Sequence, residues 1–372
     1  MNSTKFTFLL FSLFLIISCN KDDTPQEIIY PENICTGDYI ILNQQELEEF
    51  GANNCTKIEG FLKISGVSDL TPLVALKEVS GDLFIGYDVI DETYNLVVYD
   101  NPELSSLHGL ENIEIIGGRL NISLNNNLEE ITNMNNLTFV GSGLLISRND
   151  LIDNCFFNNL ITIDENTFQI VNNNSLTNLD FPALEYTGNF IIDNNNILTT
   201  INFPNLTSVG LSVAIVVFQK PNTINLENLN TIARTFRIEG ASQNSLNVPE
   251  INSATRIRLE ECDVQNLDFL QSLNTLELLQ ITQCNNLNNI DELIGLNSIT
   301  DEIDIWNNDL LTNLDGLTNA TINIEDLFIE SNPLLTDFCG LSGITVSDEY
   351  AVLSNAYNPT INQINSSLDC SN

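Results

Sequence analysis

A single histidine in 372 residues removes most enzymatic side-chain chemistry at the outset. His108 sits in Leu107-His108-Gly109-Leu110, on a turn between two apolar positions, where a solvated or turn-bonded imidazole is expected. It has no candidate partners for a Ser-His-Asp or Cys-His nucleophile. Zinc sites need His and Cys clustered at short spacing, and the sequence has none. Neither G-x-x-x-x-G-K-S/T nor G-x-G-x-x-G occurs, so no phosphate cradle is offered. An EF-hand loop is also absent. No catalytic residue, metal or cofactor is therefore assigned, and the chain is expected not to be an enzyme.

Positive charge is equally scarce. Twelve Lys and Arg face 50 Asp and Glu, a formal net charge of −38. Nucleic acid binding needs basic residues that displace counterions from phosphates, so nucleic acid is excluded as a partner. The same imbalance marks disordered acidic tails, but hydrophobic residues at 43% give this chain enough to bury.

The main feature that is present is a repeat. From about residue 57 an L-x-I pair recurs, its second apolar residue falling at Ile64, Ile85, Val98, Ile122, Ile146, Ile170, Ile192, Ile215, Ile238, Leu259, Ile281, Ile305, Ile329 and Val352. From Val98 onward the steps are 21 to 24 residues, the mark of a solenoid. The 13-residue step from Ile85 to Val98 reads as a loop or hairpin around Asp88–Tyr94, or as a shortened coil. Three residues after the index stands Asn at Asn101, Asn125, Asn149, Asn173, Asn195, Asn308, Asn332 and Asn355. Leu or Ile follows at six, and usually again at nine. One such coil cannot bury its apolar residues alone. Coils stacked at ~4.8 Å cover one another, and the Asn column is expected to satisfy turn backbone between them.

The pattern L-x-I-x-x-N-x-x-L-x-x-L-x-x-L, clear in Leu96–Leu110 and Leu327–Leu341, resembles the receptor L domain. It departs from the standard leucine-rich repeat, which has N-x-L where this chain has N-x-x-L. The resemblance covers about residues 57–353. It implies an all-β dominated solenoid, a right-handed β-helix of about 13 coils with small helical caps, roughly 60 Å long at that stacking distance.

The first residues read as an export signal: Lys5, an apolar run from Phe6 to Ile17, then Ser18 and Cys19. Ile16-Ile17-Ser18-Cys19 resembles the lipobox of bacterial lipoproteins. That implies cleavage before Cys19 and acyl chains on it, each buried CH₂ contributing ~0.8 kcal/mol of membrane anchoring. Asn20-Lys21-Asp22-Asp23 is similar to tether signals that send some Gram-negative lipoproteins to the outer face. The expected location is the bacterial cell envelope, lipid-anchored in the outer membrane and exposed at the surface. The expected divisions are a signal peptide at 1–18, lipidated Cys and flexible tether at 19–34, an N-terminal cap at 35–56, the solenoid at 57–353 and a C-terminal cap at 354–372. In a bacterial protein the N-x-S/T sequons, such as Asn121, Asn136 and Asn205, are accidents of an Asn-rich composition.

Seven further cysteines follow Cys19, and an exported chain is free to pair them. Position suggests Cys35–Cys55 stapling the N-terminal cap, where Asn43-Gln44-Gln45-Glu46 resembles a capping box and Gly51 ends the helix. It also suggests Cys339–Cys370 at the far end, beside an amphipathic stretch with Ile361, Ile364 and Leu368. Cys262 and Cys284 fall in the Asn column of adjacent coils, as ladder substitutes or as a third disulfide. Cys155 falls on an inward position.

Functional candidates lie on the outward positions. Phe84, Val97, Tyr99, Leu145, Ile191, Ala214, Val216, Trp306 and Phe328 flank index residues, and Trp306 lies one coil from Phe328. Exposed aromatics of this kind mark protein interfaces or carbohydrate platforms. Arg234, Arg237, Arg256 and Arg258 form the main basic cluster, with Arg237 and Arg258 beside each other and near Glu239 and Glu260. The sequence thus predicts a non-catalytic, lipid-anchored interaction module whose candidate binding face includes Trp306, Phe328, Arg237 and Arg258. Its partners would be the membrane, through the anchor, and a protein or glycan ligand. A glycan-binding or polysaccharide-processing β-helix and an envelope spacer are the alternatives.

Overall fold

Fourteen short strands stack in register through one column of apolar residues. In order these are Ile41, Ile64, Ile85, Ile122, Ile146, Ile170, Ile192, Ile215, Ile238, Leu259, Ile281, Ile305, Ile329 and Val352. The computed structural model describes residues 31–90, 95–366 and 370–371. The export signal, Cys19 with its lipobox, the tether up to residue 30 and Leu368 lie outside the described residues. The chain is a β-solenoid of about 14 turns, nearly all strand.

Column residues from Ile64 to Ile329 are fully buried, whereas Ile41 and Val352 at the two ends keep 3% and 6% exposure. Each buried side chain contributes ~1.5–3 kcal/mol, but only when a coil covers it on both sides. In Thr235–Glu239 and Arg256–Glu260 the inward residues are buried and the outward ones half-buried, the alternation of a sheet with one covered face.

Two expectations about the repeat are corrected. Val98 is not a rung. The strands Tyr87–Ile90 and Leu96–Tyr99 pair antiparallel as a hairpin, and Ile85 pairs directly with Ile122 across it. Val98 is accordingly 46% exposed. Tyr87 stacks on Tyr99 at 4.7 Å, and Arg148 pins the hairpin through Asp88 at 2.7 Å. Coil geometry resumes at Asn101, Leu104 and Leu107, all fully buried. Conversely, the sheet begins inside the cap segment, since Ile34–Thr36 pairs with Lys57–Glu59 and Tyr39–Ile41 with Leu62–Ile64.

The opposite side of the coil changes character along the rod. Six strands, from Glu130–Ile131 to Leu246–Asn247, form a second parallel sheet. Beneath it Phe157, Phe181 and Phe203 stack at 5.1 and 5.0 Å, and Phe168 stacks on Phe190 at 4.9 Å. In the coils of Ile64, Leu259, Ile281, Ile305 and Ile329 this side is a 3₁₀ turn instead: Thr71–Leu73, Asp268–Leu270, Asp291–Gly295, Asp315–Leu317 and Cys339–Leu341. An Asx side chain two residues upstream accepts the first backbone N–H of each, as Asp69 does for Thr71 at 2.8 Å and Asn289 for Asp291 at 3.0 Å.

At the N-terminal end the helix Gln44–Gly51 buries Leu47 and Phe50. Asn43 caps it by accepting from the Glu46 N–H at 3.0 Å, while the Glu46 carboxylate takes the N–H of Leu42 at 2.7 Å rather than that of Asn43. Gly51 is the last helical residue rather than the one after it, and a Cβ there would lie 2.4 Å from Pro72 Cβ. At the other end Thr360 and Gln363 form a capping box on Ile361–Ile364. Disulfides join Cys35 to Cys55 and Cys339 to Cys370, one at each end of the stack.

Candidate functional site

Most rungs leave the core through one left-handed residue, and the geometry of both faces follows from it. Leu124, Arg148, Asn172, Asn194, Glu261, Gln283, Asn307, Ser331 and Ser354 stand two after their index residues with φ between 51° and 62°. Such a φ costs an L-residue ~1–2 kcal/mol. The Asn that follows all of these but Glu261 and Gln283 offsets this. Asn149 is fully buried, its amide donates to the Ile122 carbonyl at 2.9 Å, and its oxygen accepts the Asn125 N–H at 3.0 Å. The eight column asparagines are therefore internal to the wall, all 8% exposed or less.

Cys262 and Cys284 occupy this column as free, buried thiols, so the bonded alternative does not form. Their sulfurs are directed at different carbonyls, Cys262 at Ile238 at 3.5 Å and Cys284 at Leu259 at 3.7 Å, the bonds that Asn amides make elsewhere. Cys155 is also free and buried, and burial pushes its thiol far above the ordinary range.

With the interior satisfied, chemistry is left to the outward face of the long sheet. One outward column precedes the index residues: Lys63, Phe84, Asn121, Leu145, Gln169, Ile191, Ala214, Arg237, Arg258, Gln280, Asp304, Phe328 and Ala351, each opposite the next. A second column follows the index and includes Val216, Glu239, Glu260, Thr282, Trp306 and Glu330. Trp306 and Phe328 therefore lie on neighbouring rungs but in different columns. Trp306 faces Glu330, and Phe328 faces Asp304, so the pair does not form a single aromatic platform. Val97 and Tyr99 belong to the hairpin rather than to this face. Phe84 is engaged, with the Lys63 ammonium 4.9 Å above its ring.

The arginines are brought together as the repeat predicts. Arg237 sits opposite Arg258, and Thr235 opposite Arg256. Arg237 pairs with Glu239 at 2.7 Å and Glu260 at 3.3 Å, and Arg256 with Glu277 and Asp301, both at 2.8 Å. Ala214, Arg234, Arg237, Arg256 and Arg258 line an open recess of about 320 Å³.

An acidic patch borders it that sequence reasoning did not single out. Burial, then the charge of Glu302, pushes the Asp304 carboxyl up to about 6, against the hydrogen bond from Trp306 and the charge of Arg258. Burial likewise raises Glu302 and Glu239. The only signal for Asp304 was its place in the column before the index. His108 stays on the surface beside Glu111. Among the described residues, no group of three or more His, Cys, Asp or Glu is placed to hold a metal ion. No helix there is long and apolar enough to cross a membrane.

No curated protein matches the chain. Residues 112–202 match the family model of the receptor L domain.

Proposed function

We propose that this chain is a lipid-anchored, surface-presented recognition module that meets its ligand on the outward face of the long sheet. The observation that carries the reading is the composition of that face. Instead of uniform polar residues, it presents Leu145, Ile191, Trp306 and Phe328 half-buried among paired and unpaired charges. A face of this kind is suited to binding. The family matched by residues 112–202 is one of ligand-binding, non-catalytic modules. Receptor L domains are typically extracellular, and two disulfides fit an oxidising compartment. The lipobox ending at Cys19 supports the anchor.

Metabolic palmitate labelling of wild type and Cys19→Ala, with protease shaving of intact cells, tests the reading. Label that depends on Cys19, together with loss of the protein on shaving, is the expected result. Absence of label removes the anchor from the proposal, and label with resistance to shaving removes the surface.

A further inference from the structure

The four-arginine recess has no role in the fold that accounts for it. The chain holds 12 basic residues, and four of them line one cavity of about 320 Å³ on the outward face. Clustering like charges costs free energy, and only two of the four are held in ion pairs, although the charge of Arg258 also acts on Glu302 and Asp304. Arg237 and Arg256 have carboxylate partners, but the guanidiniums of Arg234 and Arg258 make no hydrogen bond or ion pair among the described residues. Arg237 Nε is buried and has no hydrogen-bond partner there either. Ala214, in the column where Leu145 and Ile191 stand on earlier rungs, leaves the space open beside Arg237.

We propose that this recess binds the carboxylate of a sugar acid. The proposal rests on the outward sheet face being the recognition face. Guanidinium forks match a carboxylate two bonds at a time, and Arg237 and Arg258 stand in register one rung apart, about 4.8 Å. The volume is near the lower end of the ~300–1,000 Å³ typical of small-ligand sites, and the recess is open to solvent. Ser212 and Thr235 line the same recess and offer hydroxyls to a hydroxylated ligand. Glu239, Glu260, Glu277 and Asp301 surround it, and the chain carries a net charge of −38. That field admits one anionic group between the arginines and repels a polyanion.

The test is calorimetric titration of the full chain with glucuronate at low ionic strength. Glucose serves as the neutral control, N-acetylaspartate as the acidic peptide analogue and heparin as the polyanion. Glucuronate is expected to bind and glucose not. Arg258→Gln is expected to weaken glucuronate at least tenfold, roughly the loss of one charge-assisted hydrogen bond. Arg258→Lys, which keeps the charge without the fork, should fall between. Arg119→Gln, the same charge change at an exposed arginine elsewhere, should leave binding unchanged. Should Arg258→Gln not fold, Arg234→Gln removes an exposed, unpaired member of the same cluster. Equal binding of glucose, no binding of glucuronate, or an equal loss in Arg119→Gln would overturn the proposal. Tighter binding of N-acetylaspartate would overturn the sugar-acid assignment, and tighter binding of heparin the single-anion one. A missing lipid label would leave these titrations unaffected, so the two readings fail separately.

Discussion

The side-chain oxygen of Asn173 accepts two hydrogen bonds from Asn149, one from its backbone N–H at 3.1 Å and one from its amide at 3.4 Å. Asn173 in turn donates to the carbonyl of Ile146 at 3.1 Å. One side chain thus satisfies buried groups of the coil before it while its own backbone is satisfied by Asn195 at 3.0 Å. Asn173→Ala leaves these groups unpaired in a fully buried place. Chemical denaturation should show a loss of roughly 2–4 kcal/mol, several times that of a surface Asn→Ala control.

The left-handed column gives a prediction of opposite signs. Glu261 is exposed with φ 51°, so Glu261→Gly relieves backbone strain without emptying the core. It should raise stability by about 1 kcal/mol. Gly240 holds the same place with φ 79°, and a Cβ there would lie 1.9 Å from the Val217 carbonyl. Gly240→Ala should lower the melting temperature, and an equal response of both variants would show that the column is not strained.

Asp304 makes stability depend on pH. Its folded carboxyl titrates at about 6 against an ordinary value of 3.8, so the native state holds this proton more tightly than the unfolded chain does. Stability from this group therefore rises as pH falls from about 6 toward 4, and the penalty of the buried charge is complete above 6. Glu302 and Glu239 are raised as well and act in the same direction. Asp304→Asn should raise the melting temperature at pH 7 and leave it nearly unchanged at pH 4. The reverse order would show that Asp304 is held charged by Arg258.

The Cys35–Cys55 disulfide closes a loop with a sequence separation of 20. Replacing both residues by Ser should cost about 3 kcal/mol. Hydrogen exchange should localise the loss to Ile34–Thr36 and Tyr39–Ile41, leaving strands from Leu83–Ile85 onward protected, because each coil contacts only its neighbours. Uniform deprotection along the rod would contradict that.

The period of the core was legible because apolar burial recurs at every turn and tolerates little else. Leu96-x-Val98-x-x-Asn101 misled because a hairpin strand placed just ahead of the asparagine copies the local pattern. No residue within that window distinguishes it; the short 13-residue step from Ile85 leaves a hairpin among the readings, and the direct pairing of Ile85 with Ile122 decides for it. The first rung, Tyr39–Ile41, is legible as a strand at Asp38–Leu42 but not as a rung, for the converse reason: Asn43 follows its index by two, and a helix takes the place of the usual turn. On the outward face, the adjacency of Arg237 and Arg258 followed from counting back from the index. Trp306 and Phe328 needed a second step, since one follows its index and the other precedes it. Asp304 was passed over because its raised carboxyl depends on burial by neighbours from adjacent rungs, which a linear pattern does not contain.

The clasp at Cys35 and Cys55 also decides how the rod answers mechanical load. A pull on the N-terminal side would peel coils one after another, each rung giving way while the next held. Pulling reaches Cys35 first, and the covalent link passes the force to Cys55 and the strand Lys57–Glu59 beyond it. A loop of this separation would release about 70 Å of slack if it were open. Closed, it releases none, and the first coil behaves as a fixed eyelet instead of a loose thread.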